Sequence, residues 1–154
     1  MVKADWKDDL KTCFDDLEII EKCRAEALKH FNQFCDLIVE PAFEILAEEF
    51  RKHRVKVKSR KDQGKSIHLV VRFPKSRVDQ FHYILWMPED SVELKLRLTI
   101  KSRKTPFVPL EERTVPFIEN VSPKEILQLD KDFLAQDVVV RYKRFLYESA
   151  VATE

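Results

Sequence analysis

The sequence predicts a two-layer α+β domain in the order α-α-β-β-β-β-α: a four-stranded antiparallel meander with N-terminal and C-terminal helices packed on one face. Three observations carry this. The apolar period is close to 3.6 residues up to about His53, shortens to 2 between Val55 and Ile100, and lengthens again after Ser122. Short polar turns rather than crossover helices join the period-2 segments, so their strands run antiparallel with one buried face. The length, 154 residues, suits one domain that can bury a core. The expected divisions are a helical part over 1–53, a sheet over 54–103, a proline-rich connection over 104–121 and a C-terminal helix over 122–150.

The first helix is expected from Asp5 to about Ile38. Leu10, Phe14, Leu17, Ile20, Ala27, Phe31, Phe34 and Ile38 recur along it at helical spacing, without an internal Gly or Pro. Asp8 and Asp9 favour its N-terminal end, where the helix dipole is positive. Pro41 lacks an N–H and disfavours helix in the residue before it, so a break or sharp kink is expected at Val39–Glu40. A second helix then runs to about His53.

The strands follow. RVKVKSR turns Val55 and Val57 inward, and KDQGK makes a turn in which Gly64 supplies a positive φ. SIHLVVRFP turns Ile67, Leu69, Val71 and Phe73 inward. DQFHYILWMP does the same with Phe81, Tyr83, Leu85 and Met87. SVELKLRLTIKSRK forms the fourth strand, with Val92, Leu94, Leu96, Leu98 and Ile100 inward. Pro106, Pro109 and Pro116 keep 102–121 from being a helix, and its apolar residues predict an extended crossing over a surface. Ser122-Pro123-Lys124-Glu125 then reads as a helix start, with a Ser cap, Pro in the first turn and Glu three residues after the cap.

A first helix of about 34 residues would be about 50 Å long. Four strands span only about 19 Å. The helix must overhang the sheet, pack along the last helix, or pair with a second copy, so a homodimer is expected on that count.

The net charge is +1, but the charge is segregated. Residues 1–50 carry 6 basic and 13 acidic side chains, 51–104 carry 16 and 5, and 105–154 carry 6 and 9. A basic sheet between acidic helices can attract them or present a basic surface. With Glu89 and Asp90 as a two-residue turn, Trp86 would face Glu93 and His82 would face Arg97. With Phe73 opposite Phe81, His68 would face Trp86. The outer sheet face would then carry Lys56, His68, Val70, Arg72, His82, Ile84, Trp86, Glu93, Lys95, Arg97, Thr99 and Lys101. An apolar centre with a basic rim reads as a contact surface. The candidate binding residues are Lys56, His68, Arg72, His82, Ile84, Trp86, Lys95 and Arg97. Four occupants compete: residues 104–118 of the same chain, a second subunit or another protein, single-stranded nucleic acid with Trp86 stacking a base, or a small ligand.

Several chemistries are excluded. One glycine cannot build a P-loop, a dinucleotide fingerprint or a nucleophile elbow. Cys13, Cys23 and Cys35 share one helix, with Cys13 and Cys35 about 33 Å apart at about 1.5 Å per residue, beyond disulfide reach. A reducing, cytoplasmic setting is expected. No apolar run is long enough to span a bilayer, so no membrane is expected. Ser66 and His68 share a strand face but lack a third catalytic group. Glu93-Leu94-Lys95, with Asp79 or Asp90 before it, resembles the acidic residue and E-x-K of the PD-(D/E)xK nucleases over those few residues. That resemblance implies a divalent ion held by the carboxylates and Lys95 beside the attacking water. The same tripeptide form recurs in the helical Asp5-Trp6-Lys7 and Asp9-Leu10-Lys11. The expectation is a non-enzymatic binding module without a cofactor or metal, pairing with protein or with itself. Nucleic-acid binding by the basic sheet face is the alternative, and a metal-dependent nuclease the remote one.

Overall fold

The computed structural model describes residues 5–62, 64–72, 81–103 and 108–151. The protein is a two-layer α+β structure, with helices on one face of an antiparallel sheet. The elements are α1 (Trp6–Phe34), a π-turn (Cys35–Val39), α2 (Glu40–Lys52), β1 (Lys56–Asp62), β2 (Ser66–Arg72), β3 (Phe81–Trp86), β4 (Leu96–Ser102), β5 (Glu111–Phe117), the one-turn α3 (Pro123–Ile126) and α4 (Lys131–Val151). The strands lie in sequence order.

The break expected at Val39–Glu40 does not occur. Backbone angles stay right-handed helical through Phe34, Cys35, Val39 and Glu40. Pro41 cannot donate a hydrogen bond, and its ring would strike a carbonyl four residues back. The helix absorbs this by widening to a π-turn, in which Glu40 donates to the carbonyl of Cys35, five residues earlier. Trp6 to Lys52 is therefore one unbroken helix, about 70 Å long. Asp5 caps it, its side chain accepting from the amide of Lys7 at 3.0 Å.

The described sheet has five strands rather than four. Glu111–Phe117, expected as an extended crossing, pairs with β4 at the sheet edge, where Pro116 is tolerated. The C-terminal helix is divided. Ser122 caps the short α3 as expected, accepting from Glu125 at 3.2 Å. The Asp130 side chain then accepts from Asp132 at 3.1 Å and starts α4 afresh.

Both guessed registers are displaced. Trp86 faces Arg97 and His82 faces Lys101, four residues on from the guess, because Met87–Lys95 is a long connection and not a two-residue turn. Val71, not Phe73, faces Phe81 and His68 faces Ile84; Phe73 lies outside the described residues. Lys56 faces Arg72, and Arg60 is the residue beside His68. These displacements are even, so each residue kept in the strands stays on its expected face.

The core lies between the layers. Phe31, Phe34, Phe43 and Leu46 from the long helix meet Leu69, Phe81, Tyr83, Leu85 and Leu98 from the sheet and Leu134, Val138 and Phe145 from α4. Phe43 packs edge-on against Tyr83, and Phe81 against Tyr142. The Tyr83 hydroxyl donates to Asp137 at 2.6 Å, and Arg141 donates to the same oxygen at 3.0 Å. Burial, then Asp137, holds the Tyr83 hydroxyl well above its usual pKa, so it remains a donor. Acidic helix and basic strand meet at Lys61, which pairs with Asp36 and lies 3.5 Å from Glu40.

The expected positive φ at Gly64 is present, at +78°. Its amide donates to the Asn32 side chain at 3.1 Å, tying the β1–β2 turn to α1. An added Cβ would stand 2.9 Å from Leu28 Cδ1. Gly64→Ala is expected to destabilise the fold by about 1–2 kcal/mol, mostly from the left-handed backbone. A urea denaturation midpoint unchanged from wild type would contradict this.

Candidate functional site

Alternation along the strands places Lys56, His68, Arg72, His82, Ile84, Trp86 and Arg97 together on the face of the sheet away from the helices. Lys58, Arg60 and Lys101 share that face. Among the described strand residues, six Lys and Arg side chains thus stand there against two carboxylates, Asp62 and Glu112. Lys95 is not among them. It is exposed in the connection before β4 and lines an open cleft of about 650 Å³ between Glu93–Arg97 and Pro116–Ile126.

The described part of the proline-rich segment that forms β5 lies beside β4 at the edge, not across this face. The face is nonetheless less apolar than its sequence suggests. Ile84 is only 7% exposed, although it lies outside the main core. The Trp86 indole N–H donates to Thr99 Oγ1 at 2.9 Å, and Thr99 Oγ1 is 2.9 Å from Thr114 Oγ1. Thr99, 5% exposed, joins Trp86 to the edge strand. The indole N–H is spoken for within the chain. Ser66 Oγ likewise lies 2.9 Å from His68 Nε2. Burial, then the Arg60 charge, lowers the His68 pKa, so its ring is neutral at neutral pH.

The nuclease-like pattern does not assemble on a strand. Glu93 and Lys95 precede β4, and Asp79 lies outside the described residues. Among the described residues, no group of three or more His, Cys, Asp and Glu side chains could hold a metal ion. None of their helices is long and apolar enough to cross a membrane. The Cys35 thiol is pushed up to about 12 by burial, which leaves it unreactive at neutral pH. Cys13 is exposed.

A second surface is larger in apolar content. No side chain between Asp5 and Glu26 is buried. This half of α1 stands clear of the body as an arm of about 30 Å. Trp6 is 68% exposed and Phe14 61%, and Leu10, Leu17 and Ile19 are also exposed. Trp6, Leu10, Cys13, Leu17, Ile20, Arg24, Ala27, Phe31, Phe34 and Ile38 follow one another at alternating steps of four and three. That is the heptad spacing of a coiled-coil seam. Its second half, from Ala27, is buried in the protein's own core; its first half has no cover among the described residues. Reading the apolar residues only as a helical face misses this, because Cys13 and Arg24 hold seam positions without looking like core residues. On α4, Phe133, Val140 and Tyr147 are exposed, but Gln136 and Lys143 fall between them and no continuous seam forms.

Comparison with known proteins finds no matching family, no matching curated protein and no matching solved structure, so the functional reading rests on this geometry.

The folded protein resists protonating His68, whereas the unfolded chain does so near 6.5. The associated stability is complete above that pH and is lost as pH falls through the lower, folded value. In an NMR titration the His68 ring should show a midpoint below 6.5. A midpoint at or above that value would remove the role assigned to burial and Arg60.

Proposed function

We propose that the protein is a non-enzymatic interaction module that binds through the exposed seam of α1. The observation that carries this is the continuity of one heptad pattern, buried in its second half and bare in its first. Water-exposed Trp, Leu and Phe in a contiguous stripe mark an interaction surface. A stiff amphipathic helix is recognised by another helix laid along its seam. The seam fits a protein partner, a second copy included. The acidic flanks at Asp8, Asp9, Asp15, Asp16, Glu18 and Glu21 make a nucleic acid or an anionic membrane a poor occupant of this arm.

The basic outer sheet face supports a second reading, in which it holds a nucleic-acid backbone. Six cationic side chains on one face would give salt-sensitive affinity through counterion release. Among the described residues Trp86 is the one Phe, Tyr or Trp side chain on that face, which makes stacking weak beside sheet platforms that present two or three.

Two measurements separate these readings. Leu10→Asp with Leu17→Asp should abolish association, both of the purified protein and of tagged complexes from its host cell. Both residues are exposed, so the melting temperature should stay within about 2 °C. Association that persists in this variant overturns the first reading. Labelled oligonucleotides titrated at low and near-physiological salt test the second. Salt-sensitive anisotropy that falls with Arg60→Glu and Arg97→Glu would support it, and no binding at low salt would end it.

A further inference from the structure

The geometry points to a second copy of this chain as the arm's partner, laid antiparallel so that Trp6 of each copy enters a cleft at the root of the other arm. This rests on the interaction reading above and names its partner.

The argument starts from Arg24. It is the one charged residue in a seam otherwise made of Trp, Leu, Cys, Ile, Ala and Phe. A charge at a core position of a helix pair needs a specific counterpart, and such residues set register and orientation. Antiparallel pairing centred between Cys13 and Leu17 supplies one. Cys13 then meets the partner's Leu17, Leu10 meets the partner's Ile20, and Trp6 meets the partner's Arg24. A guanidinium against an indole face is a favourable contact, strengthened when water is excluded. The flanking positions agree. Phe14 falls opposite the partner's Phe14 on the two-fold axis, and Lys7 falls opposite the partner's Glu21, an ion pair formed twice. The adverse contact is Asp16 against its own copy, once per dimer. A parallel pair puts Arg24 against Arg24 at the seam and sets Asp16 against Glu21 twice, so it is the worse arrangement on charge.

The body offers the matching receptacle. Arg24 and Leu28 line an open cleft of about 730 Å³ together with Trp86, Met87 and Pro88. It lies where the arm leaves the body, with the seam residue Arg24 on its wall and Ala25 and Leu28 on the flank of the helix beside the seam. In the antiparallel register the partner's Trp6 arrives there. The area is adequate: two copies of Trp6, Leu10, Phe14 and Leu17 expose roughly 1,000 Å² of apolar surface, about what a specific interface requires.

The test uses the full chain. Cys35 is buried and unreactive, so Cys23→Ser leaves Cys13 as the reporter. Sedimentation should give a mass near twice 18.3 kDa. Under mild oxidation the Cys23→Ser protein should form little disulfide. The same protein with Leu17→Cys should cross-link to a dimer, with peptide mapping joining residue 13 of one copy to residue 17 of the other. Trp6→Ala should weaken the dimer at least tenfold without altering the melting of the body. A strong link between the two Cys13 residues would overturn the antiparallel register and leave self-association standing. A monomer at about 100 μM would overturn the second copy as partner and leave the arm for a different protein. A dimer that forms neither cross-link and ignores Leu10→Asp would overturn both this inference and the interaction reading.

Discussion

Everything in this structure is arranged around one helix that Pro41 fails to break. Ala27 to Lys52 forms the wall of the core, and Trp6 to Glu26 reaches beyond it. Had the helix ended before Pro41, the two parts would be separate elements with independent directions. The π-turn absorbs the missing donor and keeps the helical hydrogen bonding continuous past it. It also sits where α4 meets the long helix, with Cys35, Ile38 and Val39 buried. The packing that fills the core thereby fixes the direction of the arm. A free helix of about 20 residues would be marginal in water. Joined without a break to a buried helix, the arm avoids the cost of nucleation.

How much of this was legible in the sequence depends on the kind of information required. Period and turn chemistry were sufficient for layer order, for the inward face of each strand and for the backbone at Gly64. They were insufficient for register. Met87 and Leu94 look like strand residues by alternation, yet both are buried in the connection between β3 and β4, and Val92 is exposed there. A pattern with period 2 cannot reveal an even slip, because an even slip preserves every face. The fifth strand was hidden by Pro116, which argues against a strand in the middle of a sheet but not at its edge. Pro41 misled for a related reason: the rule describes an α-helix, and the chain used a π-turn instead.

The candidate site was legible only in part. Seven of the eight residues chosen for the outer face do share it, because their face follows from alternation alone. Their chemistry does not follow. Thr99 and Thr114 come side by side only once β5 is in place, and Thr99 then accepts the Trp86 N–H while contacting Thr114. Ile84 is covered by its neighbours. What remains outward is mainly charge, which suits solvent or a phosphate backbone better than an apolar partner. The arm shows the reverse balance, with apolar side chains outward and no internal partner for them among the described residues.

That contrast bears on which assembly is stable. Residues 5–26 carry eight acidic and four basic side chains, and the outer sheet face is basic. On charge alone an arm could lie on the sheet of another copy. Such a contact joins two different surfaces, and unless it closes it extends into a filament. It would also leave the apolar seam facing water, since the outer face has little exposed apolar area left to match it. Arm against arm joins one surface to itself, closes at two copies and buries the seam. Repulsion between basic sheet faces would discourage further copies from adding to such a dimer, whereas the acidic excess of each arm opposes the pairing itself and has to be outweighed by burial of the seam.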